Sequence, residues 1–157
     1  MSNRLGPTAG VEASAWWFLG HTQLGVTFDL GWWTLSQTSA PKVGGTTVSY
    51  EARQHYLPAL LSLSWRTLFA RDWLLWASAG AGISPVWNSA QLSGQPSVSE
   101  GGLAPAASGS VSVGPHIGPG SPFLEVRVTW IGDSKLSTLT GSSTTALILV
   151  GYRFDVR

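Results

Sequence analysis

Apolar and polar positions alternate along most of the chain, and one stretch shows it over an unusual length. From Trp73 to Trp87 the odd positions are Trp73, Leu75, Ala77, Ala79, Ala81, Ile83, Pro85 and Trp87. The even positions include Ser78, Gly80, Gly82 and Ser84. A period of two predicts a strand with unlike faces. The apolar face is too long for an ordinary half-buried strand of about five or six residues. At roughly 3.3 Å per residue and a tilt near 40°, its terminal tryptophans stand about 35 Å apart along a barrel axis, close to the span between the two interfaces of a bilayer.

Six further stretches repeat the pattern. Residues 7–18 set Val11, Ala13, Ala15 and Trp17 against Glu12, Ser14 and Trp16. Residues 23–36 set Leu24, Val26, Phe28, Leu30 and Trp32 against Thr27, Asp29 and Trp33. Residues 47–67 form a long third strand with Leu57, Leu61, Leu63 and Trp65 on one face and Leu60, Ser62, Ser64 and Arg66 on the other. Its first half, with Glu51, Arg53, Gln54 and His55, is polar on both faces and is expected to stand clear of a membrane. Residues 103–118 alternate weakly, 123–132 strongly (Leu124, Val126, Val128, Trp130 against Glu125, Arg127, Thr129), and 144–156 close the chain. The expected turns near 20, 70 and 120 are short. The expected loops at 36–46, 88–102 and 132–143 are long. Short turns at one end and longer loops at the other are characteristic of outer-membrane barrels.

Composition strengthens this reading. The chain has 157 residues, one domain's worth, with 9 Lys+Arg and 8 Asp+Glu, so charges are only 11% of it. A soluble domain carries about 25%. No run approaches the roughly 18 apolar residues of a transmembrane helix. A barrel is then the remaining membrane structure that pairs every backbone group. The near-zero net charge offers nothing to nucleic acid. The chain has no Cys, hence no disulfide or thiolate chemistry.

The strand-middle charges fall on one set of faces: Glu12, Asp29, Arg66, Glu125, Arg127, Arg153 and Asp155. A lipid-facing Arg or Lys at midplane costs about 2–4 kcal/mol, whereas a lumen-facing one can pair. These seven are expected to form a lumen network. Trp16, Trp33, Leu60, Leu74 and Trp76 point inward with them and plug the interior of a small barrel, which is only just wide enough for its own side chains. Trp17, Trp32, Trp65, Trp73, Trp87, Trp130 and Tyr152 fall toward strand ends on the opposite faces and suit interfacial aromatic girdles.

The fold expected is all-β: an antiparallel up-and-down transmembrane β-barrel, a single domain, with about seven strands visible. Bacterial single-chain barrels have even strand numbers and both ends periplasmic. The first strand here already descends to a short turn. The sequence therefore predicts eight strands in the complete barrel, with an upstream strand and signal peptide outside this chain. Met1–Gly6 has no apolar signal core.

The chain resembles the small outer-membrane β-barrel proteins of Gram-negative bacteria, loosely the eight-stranded OmpA/OmpX/OmpW-like group. The resemblance covers nearly the whole chain but lies in pattern. Its most specific piece is Gly151-Tyr152-Arg153-Phe154-Asp155-Val156, which looks like that group's terminal-strand signal: Gly151, with Phe154 and Val156 three and five residues later. The resemblance implies recognition by the barrel-assembly machinery. Val156 stands where an aromatic is usual, and Arg157 follows it.

The functional expectation is an integral outer-membrane barrel with a filled lumen and a structural, anchoring or surface-interaction role. It has no catalytic step, cofactor or metal, and its partner is the lipid bilayer. The outer-loop partner is not readable. The rivals are a small channel for ions or hydrophobic solutes, a lipid-modifying hydrolase, and a soluble lipocalin-like barrel with the face polarity reversed. The hydrolase reading rests on His55 with Glu51 and Ser49. Ser is so frequent here that any His has one nearby, and His21 and His116 fall at the opposite end. Gly80-Ala81-Gly82 and Gly118-Pro119-Gly120 join no strand to a helix and are not phosphate loops.

Overall fold

The computed structural model describes residues 4–5, 9–19, 23–39, 42–43, 46–47, 50–70, 72–92, 96–117, 120–133 and 142–154. In chain order the strands are β1 (Arg4–Leu5), β2 (Ala9–Phe18), β3 (Leu24–Ser39), β4 (Lys42–Val43), β5 (Thr46–Thr47), β6 (Tyr50–Tyr56), β7 (Ala59–Ala70), β8 (Trp73–Leu92), β9 (Val98–Pro115), β10 (Gly120–Ile131) and β11 (Ser143–Phe154). β4 and β5 pair only with each other; the other nine form one antiparallel sheet. β1 and β2 both lie along β3, and β6 and β7 follow one another between β3 and β8. The nine segments therefore make seven courses in the up-and-down order expected.

The break between β6 and β7 falls at Leu57-Pro58. Proline has no N–H for a ladder. The register is unchanged across it: Tyr56 stands opposite Val86 and Ala59 opposite Ile83. The Leu57 N–H still reaches the Pro85 carbonyl at 3.0 Å, and the Pro58 carbonyl accepts from Gly31 N–H at 3.0 Å.

Two expected loops prove shorter. β3 runs on to Ser39, and residues 88–92 and 98–102, read as loop from their Ser, Gly and Gln content, are strand. The cause is tertiary. Tyr50–Tyr56 pairs with Trp33–Ser39 on one side and Val86–Leu92 on the other, and Ala90 opposite Val98 continues the ladder into β9. Neighbouring strands override weak local preference. The polar half of the third strand is thus a sheet extension at the long-loop end.

β7 and β8 approach closely at Gly80. A Cβ on Gly80 would lie 2.6 Å from the Ser62 Cα, too close for any side chain. Glycine at such a position lets two backbones approach.

Side chains alternate as the sequence predicts, with the polarity of a soluble protein inverted. Leu63 is 74% exposed, Ile148 75% and Val150 81%, while Asp29, Ser62, Glu125 and Arg127 are buried. The interior holds two layers. Toward the short turns lie the charged residues. Toward the long loops lies an apolar cluster of Trp33, Tyr56, Leu60, Val86, Ala104, Ala106 and Ile131.

Candidate functional site: the lumen charge network

Five of the seven predicted lumen charges come together. β2 contributes Glu12, β3 contributes Asp29, β10 contributes Glu125 and Arg127, and β11 contributes Arg153. β10 and β2 lie near opposite ends of the sheet order, so their contact requires the sheet to curl on itself. Arg127 makes that contact. Its Nη1 lies 2.5 Å from Glu12 Oε1, and its Nη2 lies 3.5 Å from Asp29 Oδ1 and 2.7 Å from Glu125 Oε1. Its Nε also donates to Glu125 Oε1 at 2.9 Å. The planar guanidinium fork serves three carboxylates at once, which a lysine ammonium on its flexible stem does not match.

The second cation is held differently. Arg153 Nη2 reaches Glu125 Oε2 at 2.7 Å. Its guanidinium carbon lies 3.9 Å from the Phe123 ring centroid, 4.5 Å from Trp76 and 5.3 Å from Trp16. Aromatic faces attract a cation that is otherwise shielded from water. Gly151 makes room for this arrangement, because a Cβ there would lie 2.7 Å from the Phe123 ring. Among the described residues, Arg153 Nε and Nη1 have no hydrogen-bond partner.

Hydroxyls complete the network. Ser14 Oγ lies 2.6 Å from Asp29 Oδ1 and 3.1 Å from Glu12 Oε1, its single proton shared between them, and Ser62 donates to Asp29 Oδ2 at 3.1 Å. Thr27 and Ser64 bond each other, as do Ser78 and Ser110 at 2.8 Å. The small side chains of β8 and β9 form the wall beside the two arginines. Beside Asp29, Arg127 and the serines of β8 and β9 the space left is about 10 Å³, at or below the roughly 10–15 Å³ that one water needs, whereas the side of the network at Glu12, Ser14 and Arg153 faces a cleft of about 1660 Å³ between β2 and β11.

Arg66 does not join the network. Its guanidinium lies 3.7 Å over the Phe18 ring near the short-turn end, away from the carboxylates. It shares their face but sits at another height. Asp155 and Val156 lie outside the described residues; Phe154 continues the β10–β11 ladder opposite Gly120. All seven girdle residues face outward and are exposed: Trp17, Trp65, Trp73 and Tyr152 toward the short turns, Trp32, Trp87 and Trp130 toward the long loops. Between those two levels the outer face of the described residues carries no charged side chain. Phe123 is the site residue that sequence reasoning missed. Its signal was parity, since it shares the odd positions of β10 with Glu125 and Arg127.

Of the histidine grouping, Glu51 and His55 each engage other residues. Glu51 is engaged by Arg53 at 2.8 Å. His55 Nδ1 lies 2.8 Å from Thr34 Oγ1, and its ring stacks on Trp32. Ser49 and His21 lie outside the described residues, and His116 is exposed with Nδ1 3.4 Å from Ser121 Oγ.

Among the described residues no group of three or more His, Cys, Asp or Glu is disposed to hold a metal ion. Comparison with protein-family models, with curated proteins and with solved structures finds no match. The functional reading therefore rests on this chain's own chemistry.

Proposed function

We propose that this chain is an integral β-barrel of a bacterial outer membrane, with a structural, anchoring or surface-interaction role and a lumen closed by its own side chains. One observation carries the reading: between the two aromatic levels every course turns an uncharged apolar face outward, while the ion pairs of Glu12, Asp29, Glu125, Arg127 and Arg153 lie within. Monomeric soluble proteins rarely expose contiguous apolar patches beyond a few hundred Å². Here the exposed apolar residues run around all seven courses. Two levels of Trp and Tyr bound that band, as interfacial aromatics bound the hydrocarbon region. No helix among the described residues is long and apolar enough to cross a membrane.

Under this reading the lumen is a structural core and conducts nothing, and the barrel performs no reaction. The β6, β8 and β9 extension, with Glu51, Arg53 and Glu100, is the surface presented outside the cell. Gly151, Phe154 and Val156 form the strand signal for the assembly machinery. Purification decides the membrane claim. The protein is expected to require detergent or lipid, and a monodisperse monomer in plain buffer overturns the proposal. In planar bilayers it is expected to be electrically silent. Lipid A and phospholipid incubated with it are expected to remain unchanged.

A further inference from the structure

The seven-course sheet has a seam. β2 pairs with β3 and β11 pairs with β10, but among the described residues no ladder joins β2 to β11. β2 and β11 both run from the long-loop end to the short-turn end. Direct closure would need a parallel pair in an otherwise antiparallel meander. The gap between them is a cleft of about 1660 Å³, and residues of both faces line it, including Ala13, Ser14, Val150 and Gly151, so it passes through the wall. The free edge of β2 sets the length of a strand that can lie along it. β2 is itself ten residues long.

A second observation says what such a strand should carry. Arg153 lines the same cleft and is 6% exposed, and its Nε and Nη1 are unpaired among the described residues. Aromatic rings occupy its faces and Glu125 takes its Nη2, so two donors at its edge remain for an incoming acceptor.

We propose that the β2–β11 seam is a strand-acceptor site. Its occupant is one β-strand of about ten residues, from outside the seven courses, antiparallel to both edges. Inward positions are small and polar, with one carboxylate set level with Arg153, and outward positions are apolar. The outward half rests on the membrane reading, whereas the strand pairing rests on the fold alone. A second copy of this chain fits less well. Sharing both seams between two copies would pull β2 and β3 away from Arg127 and break its bridges to Glu12 and Asp29.

The test uses the full chain in detergent micelles. The probe is a synthetic ten-residue peptide with Leu and Val at alternate positions and Ser, Thr and one Glu between them. A series of peptides walks a single Cys along the outward positions against Ala15→Cys and Val150→Cys, which lie on the two edges. The expected result is saturable binding, disulfides to both edges, and at least tenfold weaker binding when the peptide's Glu becomes Lys. That last comparison leaves the protein unchanged. Three results overturn the proposal: no binding to the folded barrel, crosslinking to one edge only, or equal binding of the Glu and Lys peptides. Ala15→Cys linking to Ala15→Cys of a second molecule in place of the peptide also overturns it. Because the readout is made in detergent, a failure here is distinct from a failure to insert into bilayers.

Discussion

The two layers of the lumen are buried alike and built from opposite chemistry. In the charged layer Glu12, Asp29, Glu125, Arg127 and Arg153 hold β2, β3, β10 and β11 together through ion pairs between named atoms. In the apolar layer Trp33, Tyr56, Leu60, Val86, Ala104, Ala106 and Ile131 pack together from β3, β6, β7, β8, β9 and β10. An ion-pair layer is intolerant of losing one partner, because an uncompensated charge is left buried. An apolar layer loses stability in proportion to the volume removed and tolerates swaps that conserve it. The difference assigns the layers separate duties. The charged layer ties β2, β3, β10 and β11 together across the barrel, and the apolar layer fills the half nearest the long loops.

Substitutions separate the two layers, the most damaging first. Arg127→Ala leaves Glu12, Asp29 and Glu125 facing one another without their shared cation. It is expected to cost about 3–5 kcal/mol in urea unfolding followed in micelles. A loss under 1 kcal/mol would mean that the network is solvated. Leu60→Ala in the apolar layer is expected to cost roughly 2–4 kcal/mol, and Leu60→Met under about 1.5 kcal/mol, by the same unfolding assay. If the Met variant were as damaging as the Ala variant, volume would not be what that layer depends on. Glu125→Gln keeps the shape but removes the charge that both arginines share. It is expected to cost about 1.5–3 kcal/mol, the range for a hydrogen bond to a charged group, whereas the shape-conserving change in the apolar layer stays below it. Ser14→Ala removes the hydroxyl shared by Glu12 and Asp29, for about 0.5–1.5 kcal/mol. Combined with Arg127→Ala, its effect should be non-additive, since the two side chains contact the same carboxylates.

The period-two pattern made much of this legible. It placed the strand courses, the inward and outward faces, and the short-turn and long-loop ends, because a strand's side chains alternate whatever it pairs with. It also named the five residues of the ion-pair network. It did not carry height along the barrel axis, which depends on register between strands. Arg66 was therefore grouped with charges that it does not meet. Height is also why the apolar layer was not separated from the charged one: Trp33 and Leu60 were readable as inward, but not as neighbours of Ile131. The strand character of residues 88–92 was hidden because Ser89, Gln91 and their neighbours are ordinary loop residues. Pairing with Tyr50–Tyr56 on one side and with β9 on the other makes them strand. The sandwich of Arg153 between rings needed Gly151 and Phe123 to be opposite one another, again a matter of register.

The central claim is that the barrel is inside-out and its outer face meets lipid. A nitroxide scan along β10 in reconstituted bilayers, from Leu124 to Trp130, tests it most directly. A period of two is expected: spin labels at 124, 126, 128 and 130 are relaxed by oxygen, which partitions into hydrocarbon. Those at 123, 125, 127 and 129 are shielded from both oxygen and a water-soluble relaxant. Relaxation of the even positions by the water-soluble reagent, or the absence of any alternation, would contradict it.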